Sequence, residues 1–276
     1  MTSKKPILVL GSHGMLGQSV CAYFSNQGFE VIPVRERFEE KTKWDFLQTI
    51  NTRENAVIIN CIGKIKQKTE DEKDLIWANS TLPLALRDYL KPSITLIHPS
   101  TDCVFDGLTN EPYKINAIQN AKDSYGWSKR LSETALKGRP NTFILRVSII
   151  GPDHNTSGRG LLAWFLSNKA NSQLKGFTNH LWNGITTLEW CKQVEKMVMT
   201  NAFESPCQIV QLGTREFHSK YQLLLLFQKY YHTRFSIEAF ESDQKVDRRL
   251  EPVTVCKPFE VQLQELTSYP IRSDQQ

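Results

Sequence analysis

At 276 residues with a net charge of +5, the chain has room for one large domain or a large and a small one, and its charge is too slight and dispersed to argue for nucleic acid. Hydrophobic residues at 40% and charged residues at 23% match a globular protein that buries a real core. Six cysteines without a CxxC pair or metal-ligand spacing exclude a disulfide frame and a zinc site; they read as reduced thiols, and no metal is expected.

Two lysines and a short apolar run that stops at Gly11 do not read as a signal peptide, so the expected compartment is the cytoplasm. That run, 7–10, is followed by a glycine-rich turn and a helical pattern over 15–26. Further β-branched runs fall at 30–34, 56–60, 94–98 and 142–147, with helical patterns over 75–90 and 125–136 between them. Continuous apolar strands separated by helices imply an α/β fold, a doubly wound parallel sheet covered on both faces. Such a sheet binds ligands at the carboxyl ends of its strands.

After Gly151 the pattern changes. Residues 151–176 hold glycines and a helical run at 161–169; 184–201 reads as helix, 208–212 as strand and 220–231 as helix. The large domain is assigned residues 1–150 plus about 177–213. A smaller, mostly C-terminal substrate lobe is assigned about 151–176 plus 214–276. The most apolar helical stretch, 223–227, is far too short to span a bilayer, so no membrane is expected. The polar tail 268–276 is expected to fray.

Gly11-Ser12-His13-Gly14-Met15-Leu16-Gly17 follows the first strand and opens a helix, the setting a dinucleotide-binding turn requires. The first glycine permits the turn, the second admits a pyrophosphate, and the third lets helix and strand pack closely. His13 reads as a solvent-facing filler. After the second strand, where an NAD enzyme usually offers a carboxylate, stand Arg35 and Arg37. Guanidinium groups suit a 2′-phosphate, so NADPH is expected, with NADH the alternative.

Tyr125 and Lys129 form a YxxxK pair on one helical face. An ammonium there lowers the phenol's pKa and lets it donate a proton near neutrality. The segment 98–107, His-Pro-Ser-Thr-Asp-Cys-Val-Phe-Asp-Gly, places the Thr101 hydroxyl at the end of a buried strand, suited to holding a substrate carbonyl.

With these residues in order, the chain resembles the extended short-chain dehydrogenase/reductase family, and within it the dTDP-4-dehydrorhamnose reductase branch, whose STDxVFDG segment is matched by 100–107. The resemblance runs over essentially the whole chain. It takes in Asp45, Asn60-Cys61-Ile62-Gly63, Asn79, residues 145–151 and Asp247-Arg248-Arg249-Leu250. It implies a Rossmann-type cofactor domain and a catalytic triad of Thr101, Tyr125 and Lys129. Asp45 would meet the adenine, Cys61, Ile62 and Gly63 would line the cofactor, and Asn79 would support the catalytic helix. Arg146 would lead into the substrate cleft. The implied activity is NADPH-dependent reduction of the 4-keto group of a nucleoside-diphosphate 4-keto-6-deoxy, or 2-acetamido-2,6-dideoxy, sugar for a surface polysaccharide.

On the substrate side, Trp182 and Asn183 suit a sugar face and its hydroxyls. Arg248, Arg249 and Arg159 offer donors to a pyrophosphate. Trp182 reads equally well as core, Arg248 and Arg249 as surface charges, and the run 64–68 as a solvated face. Where this branch usually has tyrosine, the chain has Cys103. The related GDP-fucose synthase group uses a cysteine there as an epimerisation base, but its histidine partner has no match in 155–160. Three alternatives stay open: a bifunctional epimerase and 4-reductase, a 4-epimerase holding NAD, and a non-catalytic NADP-binding subunit resembling the beta subunit of methionine adenosyltransferase. Dehydration is disfavoured because only Asp102, and not an acidic pair, follows Thr101. A homodimer is left open.

Overall fold

The computed structural model describes residues 4–53, 55–65, 71–153, 160–200 and 207–270. The first half runs β1 (Ile7–Leu10), α1 (Met15–Asn26), β2 (Val31–Val34), α2 (Lys43–Asn51), β3 (Val57–Asn60), α3 (Glu72–Ile76), α4 (Leu82–Tyr89), β4 (Thr95–Ser100), α5 (Ser124–Leu136) and β5 (Thr142–Arg146). Then come β6 (Ile149–Ile150), α6 (Leu161–Leu166), β7 (Gln173–Phe177), β8 (His180–Trp182), β9 (Ile185–Thr186), α7 (Thr187–Met199) and β10 (Gln208–Gly213). The chain closes with β11 (His218–Ser219), α8 (Lys220–Tyr231), β12 (Ser236–Phe240), β13 (Val246–Asp247), β14 (Thr254–Val255) and α9 (Phe259–Ser268).

Seven strands make one parallel sheet in the order β14-β10-β5-β4-β3-β1-β2. Its central strands are buried along nearly their whole length because alternate residues feed two separate cores. Ile7, Val9, Val57 and Ile59 join the core under α1, α7 and α9, while Leu8, Leu10 and Ile58 join the one under α2 and α4. The doubly wound sheet expected from the sequence is therefore present. Chain order reverses between β1 and β3, so the ligand crevice of such a sheet opens at their carboxyl ends.

Two differences from the expected organisation matter. The pattern over 75–90 is not one helix: a π-helical turn at Trp77–Thr81 separates α3 from α4. Pro83 has no N–H to continue an α-helical ladder, and the wider turn accommodates the break. The segment 214–276 also does not lie wholly in the lobe. Thr254–Val255 extends the central sheet, and Phe259, Leu263 and Leu266 of α9 join its core. Conversely, β8 pairs with β11 and β13, and β7 with β12, in two smaller sheets outside the central one. Among the described residues, no helix is long and apolar enough to cross a membrane.

Candidate active site

β1 ends at Leu10, and the chain turns at Gly11 with φ +72°, a conformation that strains any residue with a side chain. A Cβ at Gly11 would meet Ile62 Cγ1 at 2.9 Å, so the turn lies hard against the segment that follows β3. At Gly17 a Cβ would overlap the Gly11 carbonyl oxygen; its absence lets α1 start close over β1. Gly14 is open by comparison, its neighbour being the Gly11 carbonyl oxygen at 3.5 Å.

Gly14 is the N-cap of α1 and supplies no side-chain bond, and the first turn carries no acidic residue. The amides and partial positive charge of a 12-residue helix therefore face the turn uncompensated. Ser12 Oγ is buried in the same turn without a partner among the described residues. These features fit the pyrophosphate of a dinucleotide. His13 is exposed, and its carbonyl accepts from Gln18 Nε2 at 3.1 Å; Met15 is half-buried, and Leu16 packs on the core.

Arg35 and Arg37 stand exposed just beyond β2. Glu36 between them accepts from Thr49 Oγ1 of α2 at 3.3 Å, which turns its carboxylate aside. The Arg37 guanidinium stands 3.9 Å from Glu39 in an exposed pair too weak to hold it. Asp45 lies exposed in the first turn of α2, a helix the sequence pattern did not reveal, where its carboxylate suits the positive end of the helix dipole.

Past β3, Cys61 is half-buried and burial pushes its thiol well up, so it carries no charge. Ile62 packs on the second core and Gly63 is exposed. Asn79, on the π-helical turn, clamps this segment to α5. Its Nδ2 donates to the Lys64 carbonyl oxygen at 2.8 Å and to Ser128 Oγ at 2.9 Å, while its Oδ1 accepts from Lys64 N at 2.9 Å.

β4 delivers Thr101, which caps a 3-10 turn at Asp102–Val104. Thr101 Oγ1 accepts from Cys103 N at 3.1 Å and donates to Asp102 Oδ1 at 3.0 Å. α5 opens on the Asp123 carboxylate, which accepts from Gly126 N at 2.8 Å. A Cβ on Gly126 would overlap the Cys103 carbonyl oxygen and sit 2.5 Å from Ala121 Cβ. The bare glycine thus lets α5 press onto the 3-10 turn, and it brings the Tyr125 hydroxyl to the Thr101 side chain.

Burial raises the Tyr125 pKa and the neighbouring Cys103 adds to this, while the Thr101 hydrogen bond opposes it. One turn on, Lys129 is buried with Nζ donating to the Pro99 carbonyl oxygen at 2.7 Å. Burial lowers its pKa to about 8, against the pull of Glu133. The sequence pattern did not single out Gly126, although a glycine inside a helix is itself a signal of close approach. Gly126→Ala should cut turnover by on the order of 10²-fold, the scale of a roughly 1 Å misplacement, with cofactor affinity little changed. Cofactor titration beside steady-state kinetics checks this.

On the substrate side the structure corrects several expectations. Arg146 does not open into the cleft. It is buried, with Nη2 2.7 Å from Glu133 Oε2, Nε 3.1 Å from Glu133 Oε1, and Nη1 donating to Gln211 Oε1 at 2.7 Å and the Ile115 carbonyl oxygen at 3.2 Å. Trp182 belongs to the core, edge-on to Phe259, with Nε1 donating to Ser148 Oγ at 2.8 Å. Asn183 is buried and holds the chain at Leu250 through both amide atoms, Nδ2 donating at 2.8 Å and Oδ1 accepting at 3.0 Å. Arg249 is forked onto Asp247, at 2.8 and 2.6 Å. Arg146, Trp182 and Asn183 have their donors engaged in the fold, because a strand end can turn its side chains into the wall as readily as into the cleft.

Arg248 is placed differently. It is half-buried, with Nε donating to the Phe105 carbonyl oxygen at 3.2 Å and Nη1 reaching Cys103 Sγ at 3.7 Å, beside the Thr101 turn. Lys220, which sequence reasoning passed over, opens α8 within reach of the charges of Arg248 and Asp102. A cation at a helix N-terminus opposes the dipole, and that was its available signal. Burial, followed by the Asp102 charge, pushes the Cys103 thiol up to about 12. Arg159, residues 66–68 and most of the 155–160 loop lie outside the described residues.

A model of the RmlD substrate binding domain matches residues 4–175. A dTDP-4-keto-6-deoxy-D-glucose reductase of Streptomyces niveus is 27% identical over 136 residues, 47% of this chain and 46% of that protein. The chain spans about half the length of the curated relatives it matches. Among solved structures, a dTDP-4-dehydrorhamnose reductase of Bacillus anthracis in complex with NADP superposes with a TM-score of 0.80 at 14% identity, covering 95% of this chain and 98% of its own. One from Clostridium acetobutylicum gives 0.78 at 18% identity with the same coverage.

Proposed function

The chain belongs to the RmlD substrate binding domain family, and on that basis we propose that it uses NADPH to reduce the 4-keto group of a nucleoside-diphosphate 4-keto-6-deoxy, or 2-acetamido-2,6-dideoxy, sugar. The observation that carries this reading is the meeting of Thr101, Tyr125 and Lys129 at the carboxyl end of β4, on the sheet edge that also bears the uncapped glycine turn. The dTDP-linked keto sugar named for the Streptomyces niveus relative supports the substrate class.

NADPH, when bound, supplies a hydride to the keto carbon. The chain's own groups position the carbonyl and move the proton. The Thr101 hydroxyl, released from Asp102, donates to the carbonyl oxygen and holds it beside Tyr125. Burial keeps the Tyr125 phenol protonated, the form a general acid needs, and it gives that proton to the oxygen as negative charge develops. The Lys129 ammonium, one helical turn away, steadies the tyrosinate and returns the proton. Arg248 and Lys220 hold the substrate's anionic diphosphate beside the Thr101 turn.

Arg35 and Arg37 favour a 2′-phosphate, and the NADP in the similar Bacillus anthracis structure agrees with this. Arg35→Ala should weaken NADPH binding by roughly 10- to 100-fold, the loss of about 1.5–3 kcal/mol carried by a charged hydrogen bond. NADH binding should change little, and fluorescence titration of both cofactors separates the two. With its thiol held protonated, Cys103 gives no support to a preceding epimerisation. Reduction with NADPH deuterated at C4 of the nicotinamide should place deuterium at C4 of the sugar. Label at another sugar carbon overturns the assignment, and solvent deuterium at C3 or C5 would restore the epimerase alternative.

A further inference from the structure

His98 sits in β4 three residues before Thr101, fully buried, and the chemistry above does not use it. Its neighbours decide which ring nitrogen carries the proton. Asn60 Oδ1 accepts from Ile62 N at 3.2 Å, so the Asn60 amide nitrogen faces His98 and donates to Nδ1 at 3.1 Å. A neutral ring that accepts at Nδ1 carries its proton on Nε2. Nε2 lies 3.2 Å from Ser132 Oγ, whose own proton goes to the Lys129 carbonyl oxygen at 2.6 Å, so Ser132 receives the ring proton. The same Nε2 is 3.4 Å from Lys129 Nζ, a packing contact in which neither atom accepts, so the ring responds to the lysine's charge without bonding to it.

We propose that Asn60 and His98 are positioning residues for Lys129: through Ser132 they tie its turn of α5 to the segment after β3 that faces the cofactor crevice, and the His98 ring packs against Nζ where it donates to the Pro99 carbonyl oxygen. Asn60 closes β3 and fixes Ile62, which in turn backs the Gly11 turn. A shift of that segment is therefore felt at Lys129 through three hydrogen bonds, Asn60 to His98, His98 to Ser132 and Ser132 to the Lys129 carbonyl oxygen. The kinetic consequence rests on the reductase reading; the geometry does not.

The charges around the pair agree with a neutral ring. Burial, together with the Lys129 charge, holds His98 well below its usual range. Lys129 faces Glu133 on its own helix, itself paired with Arg146 from β5, and Tyr125 one turn earlier. From the end of β3 and the residue after it come the neutral amide of Asn60 and the neutral thiol of Cys61.

Long-range 1H–15N correlation on histidine-labelled protein, without substrate or cofactor, tests the arrangement directly. His98 should show the neutral Nε2–H pattern throughout, with its 15N shifts inflecting near pH 8 as Lys129 titrates. Lys129→Met should abolish that inflection. A ring that titrates near 6.5, an Nδ1–H pattern, or a flat profile through pH 8 overturns the proposal. In turnover, His98→Leu should lower kcat at least about tenfold with both KM values within about threefold, and His98→Gln, which keeps a donor toward Ser132, should recover part of the loss. Unchanged kcat in His98→Leu overturns it; if that variant fails to fold, the labelled native protein decides. An expected His98 pattern in a protein that reduces no keto sugar would sink the reductase reading alone.

Discussion

Tyr125→Phe should lower turnover by roughly 10²- to 10⁴-fold, the contribution of a well-placed general acid, while leaving the affinity for NADPH nearly unchanged. The prediction follows from where the hydroxyl lies. It lies beside Thr101 on a half-buried ring whose burial keeps it protonated, where a substrate carbonyl held by Thr101 would meet it. The ring itself stays, so the packing of α5 against the 3-10 turn is preserved. The same proton path predicts a pH dependence. Reduction consumes a proton that Lys129 must return, and burial holds that lysine to about 8. Turnover should therefore fall as pH rises through that value, because the ammonium is lost. Near-normal turnover in Tyr125→Phe would remove Tyr125 from the mechanism.

Arg146→Met should destabilise the fold by about 3–5 kcal/mol, the cost of leaving one member of a buried ion pair unpartnered. Glu133 is 3% exposed and Arg146 2%, so neither charge can turn to water. Glu133 also receives Ser100 Oγ and Gln119 Nε2, and Arg146 leads on to Gln211, whose amide nitrogen holds the Tyr113 and Glu251 carbonyl oxygens at 3.0 and 2.8 Å. The network thus joins α5, β4, β5 and β10 directly beneath Thr101. On a chain of this size the loss corresponds to a fall in Tm on the order of 10 °C. Arg146→Met with Glu133→Leu should recover part of it, since removing both charges ends the uncompensated burial but leaves Ser100 and Gln119 without an acceptor. A single variant within about 1 kcal/mol of native in denaturant unfolding would show the pair to be solvated.

The parts of the fold legible in the sequence are those governed by local pattern. β1, β3 and β5 read almost to the residue because both faces of the sheet are covered, every position is buried and most are apolar. α2 and α9 were not legible. Neither begins with a side-chain cap, and their apolar positions are set by what they cover. β6, β9, β11, β13 and β14 are two-residue pairings fixed by tertiary contact, which no local period announces.

The site divides in the same way. Tyr125 and Lys129 are neighbours by helical spacing, so their pairing is local. Arg146, Trp182 and Asn183 were singled out for the chemistry of their side chains, but residue type does not say which side of a wall a side chain faces. Lys220 and His98 lay in ordinary-looking runs, and only the approach of α8 and of Asn60 gives them partners.

The most direct test of the central claim is NADPH consumption against dTDP-, UDP- and GDP-linked 4-keto-6-deoxy sugars, each generated in place by its dehydratase. Stoichiometric loss of NADPH with one nucleotide series, matched by formation of a 4-hydroxy sugar and abolished in Tyr125→Phe, is the predicted result. Tight NADPH binding without consumption against any of them would contradict it and leave a cofactor-binding protein that is not a 4-keto-sugar reductase.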